Sequence, residues 1–267
     1  MGYIQSNKEA WEEAFEVGNN HFGKEDVEKI RNTKFACLNK DLVSEIQKYD
    51  FKGKRILQLC CNNGRETMSI VKGTEAEFGV GIDIAENIVA QANEHAAKLE
   101  INCEFTARNV LEIKEEWQEQ FDAVFVIKGA ICWFEDLKAF FSVAERYLKP
   151  GGLLFVYEIH PCTNMLAVKG EDIFDKMQPT KIAWSYFKDE PFKDDFGIAY
   201  MNGGQYESKV FTSFSYKMSD VISGICKNDM QIMNFTEYDY DIGGEFRYLD
   251  GQGFPLSFMV VAQKQKL

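Results

Sequence analysis

Two short stretches of this 267-residue sequence carry residue types and spacings suited to chemistry. The first is the polar run Cys60-Cys61-Asn62-Asn63-Gly64-Arg65, between the apolar segment Arg55-Ile56-Leu57-Gln58-Leu59 and a helical one. A strand, a tight loop and a helix start in succession bring backbone close to a ligand and offer it unpaired N–H groups. The second is Asp83, closing the next apolar run about 20 residues on, where a carboxylate accepts both hydroxyls of a ribose. The pair predicts a site for a nucleotide-type cofactor.

Other chemistries fare less well. Cys60 and Cys61 are adjacent, but structural zinc takes four ligands, usually in spaced pairs. The seven cysteines, at 37, 60, 61, 103, 132, 162 and 226, contain no CxxC pair. Neighbouring cysteines also strain the geometry of a disulfide. No metal is expected, and free thiols fit a reducing, cytoplasmic setting. Of the three histidines, His21 carries no expected role and His95 falls in a helical stretch with solvent as its default surroundings. His160, in Glu158-Ile159-His160-Pro161, follows an apolar run at the edge where ligands bind in such sheets, so it reads as a general base or a structural histidine.

The elements that position these residues alternate between apolar runs and helical segments, the pattern of a parallel sheet with crossover helices. Strands are expected at 55–59, 77–82, 103–106, 121–127 and 153–157, with helices from Gly64 to about Val71, over 85–99 and over 137–148. Lys149-Pro150-Gly151-Gly152 reads as a stop after the last of these helices. Before the sheet, Ser6 to Val17 has capping-box spacing and an apolar face, and Glu25 to Tyr49 reads as helical with a break near Thr33. After it, an aromatic-, glycine- and charge-rich stretch precedes a strand-like run at 209–216, a helix at 219–229, and strands at 231–240 and 256–263.

Read in order, these segments resemble the motifs of class I, Rossmann-like methyltransferases that use S-adenosylmethionine. Ile56 to Gly64 is similar to the family's strand running into a Gly-x-Gly-x-Gly turn, with Cys60 and Asn62 where two glycines stand and Gln58 where an acid is usual. Gly81-Ile82-Asp83-Ile84-Ala85 and Phe105-Thr106-Ala107-Arg108-Asn109-Val110 resemble the second and third motifs. Phe121 to Ile127 resembles the fourth strand, and Tyr147-Leu148-Lys149-Pro150-Gly151-Gly152-Leu153-Leu154 the passage into the fifth. Asn tolerates positive φ better than most residues, so Asn62 or Asn63 can still make the turn; Cys60 fits that argument less well.

The resemblance implies an α/β fold: a seven-stranded mixed, mostly parallel sheet with helices on both faces. An N-terminal helical lid (1–50), a cofactor-binding core (51–160), an insertion after strand five forming a cap (161–207) and closing elements (208–267) complete it. It implies cofactor contacts from Gln58, Cys60, Cys61, Asn62, Gly64, Asp83, Ile84, Asn109, Val110 and Ile127. Lys128 and Trp133 after strand four, with Trp184, Tyr186, Tyr200 and Tyr206 in the cap, are the implied acceptor-binding residues. The expected reaction is in-line transfer of a methyl group to O, N or S of a small molecule, a step in which alignment supplies much of the acceleration. A net charge of −12 disfavours nucleic acid and anionic membrane surfaces as partners, and no apolar run reaches the roughly 20 residues of a membrane span. Two rivals remain. An NAD-dependent oxidoreductase would carry a full Gly-x-Gly-x-x-Gly loop, which Cys60–Arg65 lacks; a non-catalytic module that only binds S-adenosylmethionine or its product, S-adenosylhomocysteine, would be consistent with Gln58 and the altered loop.

Overall fold

The computed structural model describes residues 2–18, 22–202 and 206–266. Seven strands form one sheet: β1 (Arg55–Leu59), β2 (Phe78–Asp83), β3 (Cys103–Ala107), β4 (Phe121–Ile127), β5 (Leu148–Ile159), β8 (Met230–Tyr238) and β9 (Ser257–Lys264). Their spatial order is β3-β2-β1-β4-β5-β9-β8. β1 to β5 pair in parallel, whereas β9 runs antiparallel to both neighbours. The order turns back between β1 and β4, where open α/β sheets place their ligands. β4 is buried along almost its whole length, as a strand covered on both faces must be.

One face of the sheet presents Leu57, Leu59, Val124, Val126, Leu154 and Val156 to α6 (Leu137–Tyr147) and α8 (Met218–Cys226). The other presents Ile56, Phe125, Phe155 and Val261 to α3 (Lys40–Ile46) and α4 (Arg65–Thr74), with Phe125 stacked on Phe155 at 4.9 Å. α2 (Asp26–Asn32) and α5 (Glu86–Leu99) extend that layer through Ile30, Met68, Val89 and Phe105.

The N-terminal 50 residues therefore do two jobs. α1 (Tyr3–Gly18) lies outside the helical layer, against the start of α5, whereas α2 and α3 are part of it. Between them the expected break spans residues 33–39, where Phe35 takes a φ of 57° and packs on Gly73. The insertion also runs further than expected. Its short strands β6 (Phe192–Asp194) and β7 (Phe211–Ser213) flank the single turn α7 (Ala199–Asn202) and pair with each other, outside the main sheet. The strand-like run at 209–216 thus belongs to the insertion. β5 also starts at Leu148, five residues early, because the Pro150-Gly151-Gly152 irregularity is carried as a bulge against β4.

α1 is clipped to β7 by one side chain. Asn7 donates from Nδ2 to the Thr212 carbonyl (2.8 Å) and accepts the Thr212 N–H at Oδ1 (2.7 Å), pairing with the strand as a peptide would. Ala10, Ala14, Phe15, Phe22, Met201 and Phe211 form a small core between α1, α7 and β7, closed onto Ala85 and Ile88 at the start of α5. No helix among the described residues is long and apolar enough to cross a membrane.

Candidate active site

The cleft begins where β1 ends. Alternate residues Cys60, Asn62 and Gly64 hold positive φ values of 55°, 49° and 72°. That conformation costs a non-glycine residue about 1–2 kcal/mol and persists where its surroundings over-determine it. Here the Cys61 N–H donates to the Ile82 carbonyl (2.8 Å) and the Gly64 N–H to the Cys61 carbonyl (2.9 Å). The Cys61 thiol packs inward with Met68, Val89 and Phe105, so Cys61 offers the cleft its backbone rather than its sulfur. The Phe105 ring lies against Gly64 and Gly81 so closely that a Cβ at either would sit 2.4 Å from it.

Asp83 faces this loop. Its Oδ2 accepts the Asn62 N–H (2.8 Å) and its Oδ1 the Ala85 N–H (3.2 Å), leaving each oxygen a lone pair for a hydroxyl. Desolvation raises its pKa, opposed by the amides of Ala85, Asn62 and Ile84. Among the described residues it has no lysine or arginine partner. A desolvated carboxylate beside a strained amide loop fits a ligand that brings hydroxyl donors, as the ribose of S-adenosylmethionine does.

The other expected cofactor contacts divide. Asn109 sits beside Asp83, since the Arg108 N–H donates to the Asp83 carbonyl; its Oδ1 accepts the Leu111 N–H (3.0 Å) in a tight local turn. Ile84 is partly exposed there. Gln58, by contrast, is buried and accepts from the Thr67 hydroxyl (2.6 Å), tying α4 to β1. Val110 and Ile127 are buried in core clusters on opposite faces of the sheet.

A residue that sequence reasoning passed over orders the far side of the cleft. Glu158, at the end of β5, is 1% exposed and accepts the N–H groups of Gly129 (2.7 Å), Ala130 (2.6 Å) and Ile131 (3.2 Å) beyond β4, and of Ile159 (3.1 Å). Its donors are backbone amides, so no side-chain pattern could signal it. The loop it fixes carries Lys128, at a φ of 20° and 3.9 Å from Glu66, and Trp133. Trp133 meets Trp11 of α1 (5.4 Å between rings) and Phe211 of β7 (5.9 Å), so α1, β7 and the loop share an aromatic cluster.

The insertion's aromatic residues scatter. Tyr200, on α7, reaches the Cys60–Arg65 loop. Tyr206 rests its ring on Gly197, and its buried hydroxyl has no partner among the described residues. Trp184 packs on Phe192 (5.6 Å) beside a separate cavity of about 290 Å³ walled by Ile173, Pro179 and Ile182. Tyr186 accepts the Met218 N–H (2.8 Å) at the start of α8. Both are occupied in building the insertion and do not join the cleft.

His160 is likewise committed. Its Nδ1 accepts the Cys162 N–H (3.1 Å), which leaves Nε2 to donate to Glu237 (2.8 Å). With both ring nitrogens used, the imidazole caps the turn at Pro161–Met165 and is not free to take a proton from an acceptor. His95 is buried rather than exposed. His21 lies outside the described residues. No cluster of three or more metal-ligating side chains occurs among the described residues.

Sheet order, the left-handed loop and the facing Asp83 define a class I, S-adenosylmethionine-dependent methyltransferase, an enzyme. The chain belongs to the methyltransferase-domain family, whose model matches residues 50–191. It is 25% identical over 169 residues to a ubiquinone biosynthesis O-methyltransferase of Pseudomonas fluorescens, covering 58% of this chain and 72% of that protein. Among solved structures, an S-adenosylmethionine-dependent methyltransferase of Mesorhizobium loti shares the fold with a TM-score of 0.60 at 18% identity, over 82% of this chain and 96% of that one. A geranyl diphosphate C-methyltransferase of Streptomyces coelicolor aligns with 99% of this chain and 98% of its own, with a TM-score of 0.60 at 10% identity.

Proposed function

We propose that this enzyme moves the methyl group of S-adenosylmethionine, by in-line displacement, to a heteroatom of a small molecule held between the 128–133 loop, α1 and the insertion. The observation that carries the reading is the opposition of the Asp83 carboxylate to the left-handed loop at Cys60, Asn62 and Gly64. When bound, the cofactor supplies an activated methyl group on a positively charged sulfur. Asp83 and the loop hold its nucleoside end, with Asn109 and Ile84 beside them. Glu158 fixes the backbone beyond β4, the strand that borders the acceptor in this reading. Trp133, Trp11 and Phe211 close the cleft against water, and excluding water strengthens every polar contact inside. Oxygen ranks first among O, N and S acceptors because the curated relatives are named as O-methyltransferases.

The test has two arms. Titration calorimetry with S-adenosylhomocysteine should show saturable binding to the wild type that Asp83→Ala weakens. A screen with isotope-labelled methyl donor against phenols, amines and thiols should then label one class. Binding without labelling in any class would overturn the small-molecule heteroatom reading; labelled phenols would support oxygen.

A further inference from the structure

Tyr200 stands apart from the other aromatic residues of the insertion. Its neighbour Met201 is buried in the small core under α1, and Gly18 at the end of α1 packs so tightly on the Met201 backbone that a Cβ would sit 2.3 Å from its carbonyl oxygen. The turn is therefore anchored, and that anchor fixes where Tyr200 stands. Its ring lies 6.0 Å from Phe22, whose ring also lies 6.0 Å beneath the Arg65 guanidinium. Tyr200 is 62% exposed, and its hydroxyl lies by Asn62, with Arg65, Glu66 and Asp83 near enough to act on its charge. Desolvation raises its pKa, with Arg65 opposing and Asp83 and Glu66 adding to the rise, so it stays a protonated donor.

These groups lie along the cofactor loop, beyond Asp83 toward the start of α4. Asp83 accounts for a ribose. Arg65 spends its Nε on Glu66 (3.0 Å) and stands 4.0 Å from Asp26 through Nη1; its remaining N–H groups and a phenolic donor are the complement of a carboxylate, and the cofactor carries one on its amino-acid end. We propose that Tyr200 is a cofactor-binding residue, donating a hydrogen bond to the amino-acid carboxylate of S-adenosylmethionine beside Arg65. The insertion then contributes to cofactor binding as well as to the acceptor pocket, and the bound cofactor holds α7 and α1 over the cleft. The inference rests on the proposed placement of the ribose at Asp83.

Calorimetry on the intact protein separates the two ideas, using S-adenosylhomocysteine and 5′-methylthioadenosine, which lacks the amino-acid end. Tyr200→Phe removes only the hydroxyl and leaves the ring on Phe22. It should weaken S-adenosylhomocysteine binding about tenfold or more, the loss of a hydrogen bond to a charged group, and leave 5′-methylthioadenosine within about twofold. Asp83→Ala should weaken both ligands. Equal affinity of wild type and Tyr200→Phe for S-adenosylhomocysteine would overturn the role of Tyr200. Equal weakening of both ligands by Tyr200→Phe would also overturn it, placing the phenol on the nucleoside. If Asp83→Ala left both affinities unchanged, the underlying placement would fall first.

Discussion

The Asn7 clip offers the sharpest quantitative test of how the cleft is closed. Asn7→Ala removes a donor and an acceptor from two bonds of 2.8 Å and 2.7 Å, and both Asn7 and Thr212 are buried. The substitution strands one N–H and one C=O of Thr212, at about 1–3 kcal/mol for each unsatisfied group. Peeling of β7 toward water relieves part of that, so a net cost of about 2–4 kcal/mol is expected. If α1 and the insertion unfold together with the sheet, an unfolding entropy of roughly 2.1 cal/mol/K per residue turns this into a fall in Tm of about 4–7 °C. If they open alone, Tm holds while exchange of the Thr212 amide accelerates by roughly 30- to 1,000-fold, from the same free energy. Differential scanning calorimetry and hydrogen-exchange mass spectrometry over residues 206–216 read the two cases. A variant with unchanged Tm and unchanged exchange would refute the claim that one amide docks α1 on β7.

Asp83→Asn should also flatten part of the pH–stability curve of the free protein. The folded pKa lies above the unfolded value of about 3.9, so the wild type has this contribution in full below about pH 4 and loses it as pH rises through the folded pKa. Parallel thermal melts of both proteins between pH 3 and 7 would expose the difference. His160→Asn should lower stability by about 1–3 kcal/mol, seen in urea melts, while leaving the shape of the pH–rate profile intact; a lost limb in that profile would restore a proton-transfer role. Burial depresses the His160 pKa against the pull of Glu237, so its contribution is present above about pH 6.5 and lost as pH falls through the folded value. At the loop, Cys60→Gly should lie within about 1 kcal/mol of wild type, since relief of the left-handed strain offsets the lost side chain. Cys60→Val should cost about 2 kcal/mol or more, because a branched side chain fits positive φ poorly. Chemical denaturation that ranked valine above glycine would contradict the assigned backbone.

Much of the sheet was legible because each parallel strand is a short apolar run bounded by turn residues, and β1 and β4 fall where the pattern places them. The loop was legible through Asp83 and Gly64, and the glycine-like shape at Cys60 was not, because it is imposed by the Ile82 carbonyl and the Phe105 ring rather than by residue type. His160 shows a different limit. Its place at the strand edge was readable, but Glu237, the group that occupies it, lies 77 residues away. The 209–216 run has strand composition, and nothing local tells whether its partner is the sheet or β6. Tyr186 and Tyr200 looked alike for the same reason: one is spent on the Met218 amide, the other is placed by a buried methionine next to it.

The distance along the chain between the two halves of the Asn7 clip has a bearing on biosynthesis. Thr212 follows Asn7 by 205 residues. At roughly 5–20 residues per second, α1 leaves the ribosome about 10–40 seconds before the strand that receives it. For that interval its apolar face, with Ala10, Ala14 and Phe15, has neither Phe211 nor Met201 to cover it, while β1 to β5 are already in hand. The cofactor cleft is thus laid down early and closed late. A nascent chain stalled before Thr212 would present an open nucleoside site and an amphipathic helix covered only on its α5 side, the kind of surface that chaperones hold.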